Sequence, residues 1–279
     1  MMEKFISVQP KSEIIRKYIA YYYFHSCTDT KFEKSFVFYP NYKNGLTVYK
    51  NAEIVFSEEG TSIFDSGIEQ LSILYTTNLD KSIRVRFNSA FNKIGIVFAP
   101  LGLNHFVDKL LFEVISERIG YFDYFGLPFE KCITAVYEEN DESEKVRLLD
   151  SFFESRLADF NVPILEKAVA EIITSGGLAK VSELSEKLTA NRKTLLRLFQ
   201  KHLLCSVEEY KKMVRFRQAI NFSQEQNGSN TLTEIALFSQ YYDQADFIRQ
   251  FKSIAKESPK KVIPSISKLG SEDTYWKLE

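Results

Sequence analysis

"NRKTLLRLF", residues Asn191 to Phe199, and "DQADFIRQF", residues Asp243 to Phe251, align without a gap at an offset of 52 residues. Asn191 falls on Asp243, Leu195 on Phe247, Leu196 on Ile248, Arg197 on Arg249 and Phe199 on Phe251. Each stretch opens on a residue type that caps helices, and then repeats apolar side chains at helical spacing. A shorter helical segment precedes each: "SELSEKL" before the first and "LTEIALFS" before the second. Short helix, tight turn and longer helix make the anatomy of a helix-turn-helix. The chain therefore reads as carrying that motif twice.

Periodicity assigns faces to the two longer helices. Leu195, Leu198 and Phe199 form one stripe, and Phe247 and Phe251 form its counterpart; these are expected to hold each helix to its own core. The opposite face carries Arg192, Lys193, Leu196, Arg197 and Gln200 in the first copy. In the second it carries Gln244, Ala245, Ile248, Arg249 and Lys252. Arg suits guanine, Gln suits adenine, and small apolar groups suit the thymine methyl, so these ten are the candidate DNA contacts. A continuous helical pattern from Val207 to Gln224 connects the copies. Its length is roughly 27 Å at 1.5 Å per residue. Recognition helices in successive major grooves sit about 34 Å apart, a separation that such a connector can set.

Outward from this region, the organisation changes. Residues 160–268 read as about seven helices. Pro163 suits a first helical position, and Gly176-Gly177 a helix end. Ser206 and Glu209 have capping-box spacing, and a helix end is expected near Asn227-Gly228. Residues 1–159 read as β-rich. "SFVFYPNYKNGLTVYKNAEIVFSEEG" (35–60) suggests hairpin-linked strands broken at Pro40-Asn41, Asn44-Gly45, Asn51 and Glu59-Gly60. "SIRVRFNS" alternates Ile83, Val85 and Phe87 with Arg84 and Arg86, the period of a half-buried strand. From Leu103 the pattern turns helical, with Phe106, Leu110 and Val114 on one face. Glu142 to Leu157 is a strongly amphipathic helix and the candidate dimer element. The expected architecture is an α+β N-terminal domain, antiparallel with flanking helices (1–159). An all-α double helix-turn-helix domain (160–268) and a C-terminal tail (269–279) follow.

Charge follows the same division. Residues 1–159 hold 18 basic against 23 acidic side chains, whereas residues 160–268 hold 17 against 11. A basic segment beside an acidic one points to a polyanion partner for one half only.

"LSEKLTANRKTLLRLFQKH" and "EIALFSQYYDQADFIRQFKSIAKESPKKV" resemble the C-terminal DNA-binding domain of the AraC/XylS family of transcription regulators. Ile235-Ala236, Asp243, Phe247, Arg249, Phe251-Lys252 and Pro259 fall at the family spacing, and "RFRQAI" matches its connector helix. The resemblance implies double-stranded DNA as partner, with base contacts from Lys193, Leu196, Arg197, Gln244, Ala245 and Arg249. It also implies a homodimer. The family usually places Gly where this chain has Thr189, Leu204, Gln240 and Lys256, so strained or variant turns are expected there. Asp246 stands near the expected DNA side. More weakly, "KYIAYYYF", "PNYKNGLTVYK" and "IVFAPLG" resemble the sensor domain of one branch, which implies a small-molecule effector of unspecified identity.

Other classes find little support. His25, His105 and His202 are isolated, and Cys27, Cys132 and Cys205 have neither disulfide nor zinc spacing. No phosphate-loop, dinucleotide, metalloprotease or nucleophile-elbow motif is present, so no catalytic residue, metal or cofactor is expected. "EENDESE" (138–144) reads as a solvated loop. The Tyr21-Tyr22-Tyr23 run reads as core, and Tyr241-Tyr242 as a turn aromatic. The N-terminus has charges where a signal peptide needs an apolar run, and "IGIVFAPLGL" is too short to span a bilayer, so a cytoplasmic location is expected. A competing reading is a protein-interaction or ligand-sensing module whose helical domain has lost DNA recognition; the four missing glycines and Asp246 motivate it.

Overall fold

Tyr21, Tyr22 and Tyr23 lie on one strand, β2 (Ile19–Cys27), so successive rings face opposite sides of a sheet. Tyr22 turns toward a helical layer, where its hydroxyl donates to Asp150 Oδ1 at 2.8 Å. Tyr21 and Tyr23 turn the other way, toward a second sheet, and Tyr21 Oη lies 2.8 Å from Thr274 Oγ1. The computed structural model describes residues 3–58, 60–225, 230–270, 272 and 274–278.

The remaining strands are β1 (Glu3–Val8), β3 (Lys34–Phe38), β4 (Asn44–Lys50), β5 (Ala52–Ser57), β6 (Gly60–Asp65), β7 (Leu71–Thr76), β8 (Ile83–Phe87), β9 (Phe91–Phe98), β10 (Ile119–Tyr121), β11 (Ile266–Leu269) and β12 (Thr274–Leu278). One sheet has the order β1-β2-β9-β4-β7-β10, the other β11-β12-β3-β8-β6-β5. A core of Phe32, Phe36, Tyr49, Ile63, Phe87 and Phe91 lies between them. Helices α1 (Leu111–Val114), α2 (Gly126–Glu138) and α3 (Glu142–Glu154) cover the outer face of the first sheet.

Several sequence expectations change here. Of the stretch 35–60, only β5 and β6 are paired as a hairpin; β3 and β4 belong to different sheets. Asn44-Gly45 opens β4 and is not a turn, whereas Asn51 does turn, at φ 54°. Glu59 lies outside the described residues. Among the described residues, antiparallel pairing has one exception, since β6 and β8 run parallel. The helix expected from Leu103 is a 3-10 turn (Gly102–His105) followed by the single turn of α1. Of the acidic run 138–144, only a short segment is a loop. Glu138 ends α2, Asp141 caps α3 by accepting from Glu144 N, and Glu142 and Glu144 fill the first turn. Carboxylates are favoured there because a helix N-terminus is electropositive.

Helix α3 is the largest correction. Val146, Leu149, Phe152 and Phe153 are buried in the protein's own core. At roughly 1.5–3 kcal/mol per large apolar side chain, that stripe is committed internally and is not free to form a dimer.

The helical half comprises α4 (Pro163–Thr174), α5 (Val181–Lys187), α6 (Arg192–Leu203), α7 (Val207–Glu225), α8 (Leu232–Phe238), α9 (Gln244–Ala255) and α10 (Pro259–Val262). Pro163 opens α4, and Gly176 and Gly177 end it with positive φ. A Cβ on Gly177 would meet the Lys211 carbonyl oxygen at 2.4 Å, so glycine also sets how closely α4 approaches α7. The expected end at Asn227-Gly228 lies outside the described residues. The C-terminal tail is no loose end, because β12 pairs with β3 and draws Trp276 into the core between the sheets. Among the described residues, no helix is long and apolar enough to cross a membrane.

Candidate nucleic-acid interface

Asn191 and Asp243 stand one residue before α6 and α9, each in extended conformation. Asn191 Oδ1 accepts from Thr194 N at 2.8 Å, and Asp243 Oδ1 from Asp246 N at 2.7 Å. These caps satisfy free helix donors and fix where each helix starts. From matched starts the apolar positions fall in register: Leu195, Phe199 and Leu203 are buried in the first copy, Phe247, Phe251 and Ala255 in the second. Each helix is thus rotated alike on its own core.

The opposite face is the one the sequence singled out. Arg192, Lys193, Leu196, Arg197 and Gln200 are exposed on α6, as are Gln244, Ala245, Arg249 and Lys252 on α9. Ile248 differs: it is half-buried and packs against the core of the second copy. The copies also differ in charge. Among the described residues, no ion pair engages Arg192, Lys193 or Arg197. On α9, Asp246 pairs with Arg249 and accepts from Gln250 Nε2 at 2.9 Å, so the arginine of the second copy is partly neutralised.

The four turn positions lacking glycine keep left-handed backbone. Thr189, Leu204, Gln240 and Lys256 have φ of 50°, 56°, 51° and 62°. Non-glycine residues therefore occupy conformations that favour glycine. The echo is gapless only over α6 and α9. Helix α8 begins 51 residues after α5, so the second turn is one residue longer. Tyr241 fills it: its buried ring lies 3.9 Å from the guanidinium of Arg215, whose Nε donates to Ser239 O at 2.9 Å. Tyr242 is 91% exposed.

Residues 184–263 match a family described as helix-turn-helix domain. Those residues form an AraC-type helix-turn-helix domain. Regulators of transcription carry domains of this type. No curated protein matches the chain. Over the whole chain, the fold is similar to that of wild-type ToxT from Vibrio cholerae strain SCE256 bound to an unsaturated fatty acid. The TM-score is 0.51 at 12% identity, covering 90% of this chain and 98% of that one. A second ToxT structure, from Vibrio cholerae O395, gives 0.47 at 12% identity over 86% and 95%. At this identity the likeness is one of fold.

The AraC-type domain is gripped by the β-rich half through contacts that no sequence period announces. Asn78 Nδ2 donates to Leu203 O at 2.7 Å, and Asn104 Nδ2 to His202 O at 3.1 Å, both at the end of α6. Ser82 donates from its backbone N to Ile254 O at 2.8 Å and from Oγ to Ala255 O at 3.0 Å, at the end of α9. The last carbonyls of a helix lack intrahelical partners, so these donors act as caps supplied from across the fold. Arg118 adds an ion pair of 2.7 Å to Glu209, the capping-box residue of α7.

Between the two sheets lies a cavity of about 100 Å³ that opens toward solvent. Its walls are largely apolar, with Tyr23, Phe36, Tyr49, Leu74 and Trp276 among them, and three basic side chains border it: Lys43, Lys93 and Arg217. Gly95 allows the Tyr23 ring to lie against β9, where a Cβ would come within 1.9 Å of that ring. Arg217 comes from α7 and Trp276 from β12, so an occupant would touch the AraC-type domain, the β-rich half and the C-terminal strand together. The sequence reading missed this cavity because its residues are scattered over the chain and share only the face of a strand that each occupies.

Proposed function

We propose that this chain is a sequence-specific transcription regulator whose α6 and α9 enter successive major grooves of double-stranded DNA. The observation that carries the reading is the common register of the two helices: matched caps, matched buried stripes, and nine of the ten candidate contacts exposed on the opposite faces. Helix α7, 19 residues or about 28 Å long, is the spacer between them. Arg197 and Lys193 lead on the first helix. The second reads more weakly, because Asp246 competes with phosphate for Arg249.

The cavity supports a small-molecule effector with an apolar body and an anionic head. Aromatic and aliphatic walls suit the body, and Lys43 and Arg217 suit the head. The ligand named for the similar ToxT structure, an unsaturated fatty acid, has that chemistry. Thr76 and Ile83 both line the cavity, and the loop between them carries Asn78 and Ser82. Occupancy can therefore bear on both recognition helices through one segment.

Genomic fragments selected by the purified chain, then titrated by fluorescence anisotropy across salt, test the DNA reading. Affinity should fall steeply with salt as counterions are released. Arg197→Ala should cost about 1–3 kcal/mol and relax preference at one base position. Equal, weak binding to selected and random duplexes would end the reading.

A further inference from the structure

We propose that Lys93 captures an aldehyde entering this cavity as a reversible imine. The inference rests on the cavity being a ligand site, as argued above, and names the chemical class that its deep end accepts.

Lys93 lies on β9 with its side chain directed inward; it is 2% exposed. Its Nζ sits among rings, 4.3 Å from the centroid of Trp276, 4.9 Å from Phe87, and 5.7 Å from both Tyr23 and Tyr49. Lys93, Tyr23, Tyr49 and Trp276 all border the cavity. Among the described residues, no carboxylate forms an ion pair with Lys93. Glu3, the acidic group whose charge acts on it, is occupied by His25 at 2.9 Å and Lys34 at 2.9 Å. An ammonium is poorly served in such a place, and a neutral amine is well served.

The chemistry follows from that environment. Burial draws the Lys93 amine down to about 7. Near neutral pH about half of it is the free base, against roughly one part in a few thousand for a surface lysine, an advantage of about a thousandfold in nucleophile. The indole Nε1 of Trp276 is buried and, among the described residues, has no acceptor. It is a donor waiting for an oxygen beside the amine.

The step balances without oxidant or reductant. The Nζ lone pair attacks the carbonyl carbon and forms the C–N bond, while the carbonyl π pair moves to oxygen. A proton passes from nitrogen to that oxygen. The nitrogen lone pair then closes the C=N bond as the C–O bond breaks, and the remaining N–H proton leaves with the departing hydroxide as water. An imine removes the charge that the site solvates badly.

The experiment uses the full chain with octanal, followed by borohydride reduction, intact mass measurement and peptide mapping. The expected result is one octyl group per chain, on Lys93, added at least a hundredfold faster than on any other lysine. Lys93→Met and Lys93→Arg, checked for folding by thermal melting, should lose that adduct. Octanoate serves as the non-reacting control: it should slow labelling and shift the emission of Trp276, the chain's only tryptophan. Labelling of Lys93 no faster than surface lysines, or the same adduct in both variants, overturns the proposal. If octanoate shifts the emission while Lys93 stays unlabelled, the imine falls and the cavity reading stands. If neither compound has an effect, both fall.

Discussion

Asn78 and Ser82, four residues apart on one loop, hold the C-terminal ends of different recognition helices: Asn78 binds Leu203 O on α6, Ser82 binds Ile254 O and Ala255 O on α9. Four peptide units span at most about 14 Å, so this loop limits how far those two ends can separate. Both helices thus present their C-termini to the β-rich half.

Asn78 is 2% exposed, and its amide is the partner that Leu203 O has across the fold. Asn78→Ala should lower stability by about 1–2 kcal/mol, the cost of an unmet buried carbonyl. Ser82→Ala keeps the backbone donor and should cost less. Both variants should discriminate less between DNA sites with altered spacing of the two half-sites. Spacing preference measured by anisotropy and left unchanged in both would show that the loop does not set reader separation.

Asp246 occupies the place that Thr194 holds in the first copy. Replacing it, Asp246→Thr, frees Arg249 and removes a negative charge from the DNA side. Affinity at low salt should rise about threefold to tenfold, and the salt dependence should steepen by about one counterion. The helix loses a favourable first-turn acid, worth about 0.3–1 kcal/mol, so thermal stability should drop slightly. Unchanged affinity together with an unchanged salt slope would place Arg249 away from the phosphates.

Left-handed backbone at non-glycine residues costs about 1–2 kcal/mol each, partly offset by the greater unfolded-state freedom that glycine brings. Thr189 is exposed and β-branched, so Thr189→Gly should raise stability by about 0.5–1 kcal/mol. Leu204 has the same geometry but a different setting: its side chain packs against the core of the β-rich half. Leu204→Gly should therefore destabilise. Melting temperatures that move in the same direction for both variants would contradict the argument.

The readers were legible because everything that builds them is local. Asn191, Leu195 and Phe199 sit within three turns of one helix, and cap and stripe are both written in sequence order. Helix α3 was legible as amphipathic, but a stripe does not say what covers it, and here the protein's own sheet does. Burying Leu103, Phe106 and Leu111 in one core overrode the helical period from 103 onward. The grip of Asn78 on Leu203 and the pairing of β12 with β3 join residues more than a hundred positions apart, with no period to betray them. Lys93 carries no sequence signal of its own; its inward direction depends on the register of β9 against β2 and β4.

That direction makes Lys93 a stability probe with a definite pH sign. In the unfolded chain its amine titrates near 10.4, and in the fold near 7. Between those values the unfolded state binds the proton and the native state does not, so native stability rises with pH across that window. At pH 7 and below, the native protein carries the cost of a buried ammonium, offset in part by the surrounding rings. His25, across the strand pair, adds no relief, since burial and then the charge of Lys93 hold it down to about 3. Lys93→Met removes the cost, so the variant should be about 1–3 kcal/mol more stable at pH 7. The gain should shrink steadily toward pH 9, by up to about 1.4 kcal/mol per pH unit. Chemical denaturation of both chains at several pH values measures it. A methionine variant that is less stable at pH 7, or a gap that widens with pH, would mean that the amine is charged and well served in the fold. Its role as a nucleophile would then fail as well.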